Sequence, residues 1–331
     1  MSDAQRIIMY REALNEALRE EMQRDKHVFL MGEGIAERGG SYKVTVDLLK
    51  EFGPKRVIDT PIAEASFTGA GVGAAIVGMR PVVEILFVDF AMLVLDQIIN
   101  QAAKYKFMSG GVAHVPFVLR SQGGVGNGLA AQHSESLEAI FYHIPGLRVV
   151  MPATPYDAKG LLKQAIRCND PVIFLEHKLL YMTEGHVPEK EYTIEFGQAD
   201  IKRSGKDVTV LAWSNMVLRS LEAAKDLESE GIDVEVIDLR TLSPMDTQTI
   251  LESVRKTERV VIVQEAVRRG GIASDIASII QQQAFDHLDA PIAIVAGLNT
   301  PIPFNLELES QAIPRKQDIM DAIKNVMYVN S

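Results

Sequence analysis

Apolar segments of two kinds alternate along most of this chain of 331 residues. Short runs with the composition of buried strands alternate with longer segments whose apolar residues recur at helical spacing. Strands are predicted at 28–31, 56–59, 81–86, 115–120, 147–151, 172–175, 208–212, 234–239, 260–264 and 292–295, and helices at 7–23, 63–77, 91–107, 134–142, 156–167, 218–228, 247–256, 273–283 and 319–327. This alternation favours an α/β fold with mostly parallel sheets and helices on both faces.

The alternation of strands and helices is interrupted near the middle of the chain. The segment 182–205 is polar, contains Pro188 and carries several charged residues. We interpret this region as an inter-domain linker. A chain of this length is longer than one domain usually requires. The sequence therefore predicts a first α/β domain at 1–185, a linker at 186–205 and a smaller α/β domain of flavodoxin-like size at 206–331.

The charge balance argues against several classes of partner. The chain has 34 Lys and Arg residues against 44 Asp and Glu residues, which gives a formal net charge of −10. An acidic surface argues against broad binding of nucleic acid or anionic membranes, because both need basic patches. No run of about eighteen apolar residues is present, so no membrane span is predicted. The segment 2–20 resembles neither a signal peptide nor a transit peptide, and we expect a cytoplasmic protein.

Two glycine-rich segments are candidates for ligand binding. The first, at 69–74, contains a GxGxxA match, which on its own suggests a dinucleotide-binding loop. A dinucleotide fingerprint requires an apolar strand immediately before it. Here the preceding residues, 64–68, read Glu-Ala-Ser-Phe-Thr. Small residues on a helix that packs closely against its neighbour explain this segment better than nucleotide binding does.

The second glycine-rich segment, at 123–128, follows a predicted strand and leads to His133. Ligands of open α/β sheets lie beyond the carboxyl ends of the strands. His133, beside a flexible glycine loop at such an end, is a candidate proton-transfer group. The alternative is a helix-capping neighbourhood in which Ser134 is the N-cap residue and 135–137 begin the helix. The spacing alone favours neither interpretation.

Carboxylates near predicted strand ends allow both a structural and a functional interpretation. Glu64 follows the strand 56–59 and lies near a helix start, where a negative charge is favourable. On spacing alone, a first-turn acid with no further role is the simpler interpretation. Asp59 ends one predicted strand and Glu84 lies within another, but nothing in the sequence shows that the two meet. The lone cysteine, Cys168, follows a predicted helix and is interpreted as a packed or partly exposed thiol rather than a nucleophile.

Six longer motifs are distributed over both halves of the chain. They are DTPIAE at 59–64, AQHS at 131–134, PGL at 145–147, TPYDAKGLL at 154–162, DPVIFLEH at 170–177 and DLRT at 238–241. Together they resemble the β subunits of the decarboxylating component of 2-oxo acid dehydrogenase complexes. The resemblance covers essentially the whole chain.

The resemblance implies a thiamine diphosphate enzyme with a transketolase-like pyrimidine-binding domain at 1–185 and a transketolase C-terminal-like domain at 206–331. It also implies an α2β2 heterotetramer with the cofactor at α–β interfaces. The α subunit would hold the diphosphate and magnesium, and the β subunit would hold the aminopyrimidine ring. The sequence supports that division, since thiamine enzymes hold magnesium diphosphate with a Gly-Asp-Gly motif followed by an Asn, and no Gly-Asp-Gly occurs in this chain. The chain is therefore expected to carry half of a site and to need a partner.

The same resemblance assigns roles to individual residues. It implies that Glu64 is the acid that hydrogen-bonds a ring nitrogen of the aminopyrimidine and that Phe90 packs on that ring. It implies that His133 takes part in proton transfer and in acyl transfer to lipoamide. Burial of a carboxyl helps it to share a proton with such a ring.

A potassium site is a further implication of the resemblance. It maps to the backbone of Phe117 and Ala165 and to positions 168 and 170. Cys168 and Asp170 stand there in place of the common Asp and Asn, and these replacements weaken the expectation of a bound ion. A backbone carbonyl at either position could still coordinate a cation.

The stretches FTGAGVGAA at 67–75 and EHKLLY at 176–181, with GHVP at 185–188, are most similar to family members that act on acetoin. The expected reaction is oxidative cleavage: acetaldehyde leaves, and the remaining two-carbon unit is transferred to a lipoyl group of an acyltransferase. The same residues would serve pyruvate, with carbon dioxide leaving instead. Alternatives of other classes are a non-catalytic subunit that docks the complex onto its acyltransferase core, and an NAD-binding oxidoreductase that uses the segment 69–74.

Overall fold

The computed structural model describes residues 6–329, so residues 1–5 of the predicted first domain and residues 330–331 of the predicted second domain lie outside the described residues. Up to residue 196 the strands are β1 (Ile7–Met9), β2 (Val28–Gly32), β3 (Val57–Asp59), β4 (Arg80–Ile85), β5 (Val118–Gly123), β6 (Arg148–Val150), β7 (Val172–His177) and β8 (Glu184–His186), and the helices are α1 (Tyr10–Arg24), α2 (Leu48–Phe52), α3 (Glu64–Ile76), α4 (Ala103–Met108), α5 (Glu138–Tyr142) and α6 (Pro155–Arg167). From residue 197 the strands are β9 (Asp200–Arg203), β10 (Val208–Ala212), β11 (Val234–Asp238), β12 (Thr241–Ser243), β13 (Val260–Val267) and β14 (Ala293–Gly297), and the helices are α7 (Asn215–Glu228), α8 (Thr247–Thr257), α9 (Ile272–Ala284), α10 (Leu306–Gln311) and α11 (Lys316–Val326). Within residues 6–329 no helix combines the length and the apolar character that a bilayer span requires.

The chain forms two compact units. The first comprises residues 1–123 and 140–196, and the second comprises residues 124–139 and 197–331. The segment 124–139, which the sequence interpretation placed in the first domain, therefore packs with the second unit. Two buried carboxylates explain this placement: Glu265 accepts a hydrogen bond from the Val125 amide at 2.8 Å, and Glu309 accepts one from the Gly126 amide at 2.9 Å.

The main sheet of the first unit is parallel, as the sequence predicts. Its strands lie in the order β6-β7-β5-β4-β2-β3, and each neighbouring pair runs in the same direction. Strands β2, β5 and β7 are buried along their whole length. The sequence of β2 is apolar up to its final glycine, as expected of a parallel strand covered on both faces, whereas β5 and β7 begin with apolar residues and carry buried polar ones towards their ends. Gly32 pairs with both Asp59 and Glu84, so the carboxyl ends of three strands meet at one edge of the sheet.

The sheet of the second unit has the order β14-β13-β10-β11-β9. The first four strands are parallel, and β9 is antiparallel to β11. Strand β9 lies within the segment that the sequence interpretation assigned to the linker. Its residues pair with β11, which makes the end of that segment part of the second sheet.

The helix predicted at 7–23 begins at Tyr10 instead, because the backbone before it is extended. Ile7–Met9 forms β1 and pairs with β8 in the antiparallel direction, with Ile7 opposite His186. The two strands are far apart in sequence, so the helical spacing of apolar residues could not reveal their pairing.

The glycine cluster at 69–74 lies inside helix α3 rather than in a turn between a strand and a helix. A Cβ atom added at Gly71 would lie 2.8 Å from Val83 Cγ2 and 3.1 Å from Phe117 Cε2. Such distances leave no room for a side chain, so the helix packs directly on the sheet. The interpretation of this cluster as a close packing surface holds at Gly71. A Cβ atom at Gly69 would meet only Gln97 Cγ at 3.5 Å, and one at Gly73 would meet nothing within 4 Å.

Two predicted helices differ from the observed ones in winding or in length. The helix predicted at 91–107 is a 3₁₀ segment at Val88–Val94, a π segment at Asp96–Ala102 and then α4. The helix predicted at 134–142 begins at Glu138, so the interpretation of Ser134 as its N-cap is wrong. Apolar spacing does not report the hydrogen-bonding register that distinguishes these windings.

Helices α1 and α6 pack together through buried charges. The side chains of Lys159 and Lys163 are only 1% exposed. Lys159 contacts Glu16 at 3.0 Å and Glu20 at 2.7 Å, and Lys163 also binds Glu20. Each buried cation thus has a carboxylate partner on the other helix, as burial of a charge requires.

Candidate active site

Glu64 is the first residue of α3 and follows the turn that leaves β3. The residue is only 8% exposed. Among the described residues no group donates a hydrogen bond to its carboxylate. Neither carboxylate oxygen is among the fully buried atoms that lack a partner, so both oxygens reach the surface of the described part of the chain. The arrangement therefore leaves the Glu64 carboxyl available to a bound molecule. In its protonated form a carboxyl donates a hydrogen bond to an acceptor such as the ring nitrogen of an aminopyrimidine.

Glu33 is a second carboxyl at this edge of the sheet, and sequence reasoning missed it. It follows β2 directly, and its Oε1 atom is buried without a hydrogen-bond partner. Burial raises the pKa of Glu33, and the negative charge of Glu64 raises it further. Glu33 is thus close enough to Glu64 for the charge of Glu64 to act on it. The sequence did contain a signal for Glu33, because it is a glutamate that directly follows a fully buried strand.

Phe90 lies on the 3₁₀ segment that follows β4. Its ring is half-buried and meets the ring of Phe87 edge to face, with centroids 5.9 Å apart and an interplanar angle of 78°. The Phe87 ring in turn lies 5.7 Å from the ammonium group of Lys178. Packing on one side leaves part of the Phe90 ring accessible, as contact with a planar ligand requires.

Asp59 and Glu84, whose meeting the sequence left open, each have a separate partner. Asp59 accepts a hydrogen bond from the Ala36 amide at 2.7 Å. Glu84 binds the guanidinium of Arg120 at 2.7 Å, and Arg120 also makes a two-pronged contact with Glu176 at 2.6 and 2.7 Å. Burial raises the pKa of Glu84 despite the opposing effect of Arg120. This buried cluster links strands β4, β5 and β7 through one guanidinium.

His133 is half-buried on a turn of the segment 124–139, and so it belongs to the second unit, whereas Glu64 and Phe90 belong to the first. The preceding loop has a left-handed backbone at Gly124, Gly128 and Ala130. Contrary to the expectation of a flexible loop, this segment is bonded to the second unit. Glu309 accepts hydrogen bonds from the amides of Gly126 and Gly128.

The residues of the expected potassium site lie near the end of α6. Ala165 is in its last turn, Cys168 follows it and Asp170 precedes β7. Cys168 supplies a half-buried thiol in place of a carboxylate, and this thiol accepts a hydrogen bond from the Asp170 amide at 3.4 Å. Burial alone would raise the pKa of Asp170, but two neighbouring cations, Lys106 and Arg148, lower it. A carboxylate already neutralised in this way does not fit a bound potassium ion.

Comparison with known protein families gives two matches that cover most of the chain. Residues 6–184 match the transketolase pyrimidine-binding domain, and residues 197–319 match the transketolase C-terminal domain. The second match begins at residue 197, where the chain returns to the second compact unit, whereas the first match includes the segment 124–139 that packs with that unit.

Curated relatives align over nearly their whole length. The chain is 51% identical to the pyruvate dehydrogenase E1 component subunit beta of Rickettsia felis, over 97% of this chain and 98% of the relative. It is 50% identical to the acetoin:2,6-dichlorophenolindophenol oxidoreductase subunit beta of Cupriavidus necator, over 95% of this chain and 96% of the relative. Among solved structures, a split-gene transketolase described as an inactive β4 tetramer superposes with a TM-score of 0.78 at 24% identity, over 98% of this chain and 99% of that one. This last likeness concerns the fold alone.

Proposed function

Because this chain belongs to the transketolase-like β subunits of the E1 components of 2-oxo acid dehydrogenase complexes, we propose that it contributes the aminopyrimidine-binding half of a thiamine diphosphate site. We further propose that the complete enzyme cleaves acetoin. The observation that carries the proposal is the largely buried residue Glu64, whose carboxyl has no hydrogen-bond partner among the described residues and is free to donate to a ring nitrogen.

Glu64 would hold a proton at the aminopyrimidine ring. Thiamine diphosphate, when bound, supplies a thiazolium carbon that becomes a nucleophile after it loses its proton. A hydrogen bond from a buried carboxyl to the ring nitrogen tunes the basicity of the ring, which is the usual contribution of a protein to a cofactor reaction. Glu33 supports this role, since a second carboxyl lies close enough to Glu64 for burial and the Glu64 charge to raise the pKa of Glu33.

Phe90 and His133 are the other residues of this chain for which we propose a role. The accessible part of the Phe90 ring would pack on the aminopyrimidine. His133 would transfer a proton to or from the substrate and assist acyl transfer to the lipoyl group. The anchored loop that carries His133 favours a fixed position for its imidazole over a mobile one.

An α subunit would supply the remaining half of the site. The chain has no Gly-Asp-Gly sequence for a magnesium diphosphate, so those contacts would come from the α subunit. The first unit also exposes large apolar side chains of the kind that protein interfaces cover. They include Ile62 at 83%, Val77 at 80%, Phe107 at 90% and Val112 at 84% exposure. We propose an α2β2 complex attached to an acyltransferase core. The lipoyl domain of that core would bind transiently at the site.

In the proposed reaction, the bond between the carbinol and carbonyl carbons of acetoin breaks and acetaldehyde leaves. The remaining two-carbon unit is oxidised to an acetyl thioester as the lipoyl disulfide is reduced, so the lipoyl group is both oxidant and acyl acceptor. The localisation proposed for this enzyme is the cytoplasm.

Pyruvate is a second candidate substrate, because relatives described as pyruvate dehydrogenase subunits are as similar to this chain as the acetoin relative is. Steady-state assay of the α–β complex with a lipoyl acceptor separates the two. We expect kcat/KM for acetoin to exceed that for pyruvate by at least about tenfold, which corresponds to roughly 1.4 kcal/mol of transition-state binding. Faster turnover of pyruvate would reassign the substrate and leave the thiamine site unchanged.

Two rival functions remain testable with the same preparation. A purely docking subunit would retain full activity of the complex after Glu64→Ala and His133→Ala substitution. An NAD-binding oxidoreductase would bind NAD in a calorimetric titration. The segment 69–74 lies inside α3 and does not form the turn that a dinucleotide-binding loop needs. We therefore expect no NAD binding.

A further inference from the structure

The last carbonyl groups of helix α6 converge on one guanidinium. Arg80, the first residue of β4, donates through Nη1 to the carbonyl oxygens of Ile166 at 2.9 Å, Arg167 at 3.2 Å and Cys168 at 3.0 Å. Its Nη2 donates to Asn169 Oδ1 at 2.6 Å. The carboxyl end of a helix favours a positive charge, because its last carbonyls have no partner within the helix. Arg80 thus binds four oxygen atoms of one short segment, as a small bound cation would.

The only carboxylate of the expected potassium site is also neutralised by side chains. Asp170 Oδ1 lies 2.6 Å from Lys106 Nζ, and Asp170 Oδ2 lies 2.7 Å from Arg148 Nη2. The Asp170 side chain is 21% exposed, which keeps both contacts partly shielded from water. Each carboxylate oxygen therefore has a cationic donor of its own.

The other carbonyl oxygens that the family site would use also accept backbone hydrogen bonds. Phe117 accepts from the Val172 amide at 2.9 Å, and Ala165 accepts from the Cys168 amide at 3.3 Å. A potassium ion would have to compete with these donors. It would also meet the charges of Arg80, Lys106 and Arg148, and like charges at short range repel.

We propose that the segment 165–170 is held by three cationic side chains of this chain, Arg80, Lys106 and Arg148, and that it binds no potassium ion. These side chains supply the two contributions that a monovalent cation would make: neutralisation of a carboxylate and the gathering of carbonyl oxygens. The proposal depends on the fold of the first unit and not on the identity of the substrate.

The first test compares the thermal stability of the full chain in potassium chloride and in choline chloride at equal ionic strength. Choline is too large to enter a site lined by carbonyl groups. We expect equal melting temperatures across the potassium titration. An ion that binds only the folded state would raise the melting temperature with increasing concentration. A saturating rise in potassium that is absent in choline would overturn the proposal.

The second test removes one of the three cations. Lys106→Met should lower the melting temperature in both salts, because Asp170 then keeps only Arg148. The matched control is Lys104→Met on the same helix, where the exposed lysine contacts only an amide, Asn100 Oδ1 at 2.9 Å; this variant should melt like the unmodified chain. The effect of Lys106→Met should shrink in an Asp170→Asn background, since the two residues then no longer form an ion pair. Equal melting of the Lys106→Met variant and the unmodified chain would refute the role of Lys106.

Discussion

Buried carboxylates of the first unit fall into two kinds. Glu84 and Glu176 are neutralised by Arg120, and Glu21 is neutralised by Arg167. Glu64 is buried to a similar degree but has no hydrogen-bond donor among the described residues. A paired carboxylate stabilises the fold, whereas an unpaired one costs stability and is retained where it serves another purpose. Glu64 is therefore expected to contribute to activity more than to folding.

Substitution of Glu64 by Gln tests this difference. We expect kcat of the α–β complex to fall by about 10²–10⁴-fold, the usual value of a positioned proton-transfer group. The melting temperature should stay the same or rise, because the repulsion between Glu64 and Glu33 is removed. Glu37→Gln, at an exposed carboxylate of the loop after β2, is the control and should retain activity. Loss of stability together with activity would indicate a structural role instead.

At the scale of elements, the contact between α1 and α6 should make stability depend on pH. Burial acts to raise the pKa of Glu20, but Lys159 and Lys163 outweigh it, so the pKa is lowered in the folded state. A carboxyl with a lowered folded pKa stabilises the fold above its unfolded pKa of about 4.3, and this contribution is lost as pH falls through the folded pKa.

The variant Glu20→Gln should therefore lower the free energy of unfolding by about 1–3 kcal/mol at pH 7, because a buried ammonium loses a charged partner. The difference between the variant and the unmodified chain should shrink below pH 4. Urea denaturation at several pH values measures it. Glu184→Gln, at an exposed carboxylate, should show no such dependence; a constant difference for Glu20→Gln at all pH values would mean that its charge is not responsible.

The elements that the sequence predicted correctly are those whose signal is local. Strands such as β10 follow from short apolar runs, and α8 follows from the helical spacing of apolar residues. The pairing of β1 with β8 and the π segment Asp96–Ala102 were not predictable, since they depend on distant partners and on hydrogen-bonding register. The prediction of site residues was limited in the same way, because the sequence does not show which residues become neighbours. Glu64 was reached through a resemblance, while Glu33 became a candidate only when its neighbours in the sheet were known.

For the whole molecule, the decisive property is that the chain carries half of the proposed site. Native mass spectrometry of the tagged chain, purified from its source cells, should show equal numbers of this chain and a chain with a Gly-Asp-Gly motif followed by an Asn. The physical reason is the exposed apolar surface of the first unit together with the missing diphosphate contacts. A homo-oligomer that binds thiamine diphosphate by itself would contradict this division.

The path of the chain limits how proteins of this kind can be recombined. The polypeptide changes compact unit after residues 123, 139 and 196, so no single cut separates the two units. A hybrid gene joined at residue 197 would combine the 124–139 loop of one parent with the Glu265 and Glu309 positions of the other. Exchange between relatives should preserve the position of His133 only if that loop and the C-terminal half are inherited from the same parent.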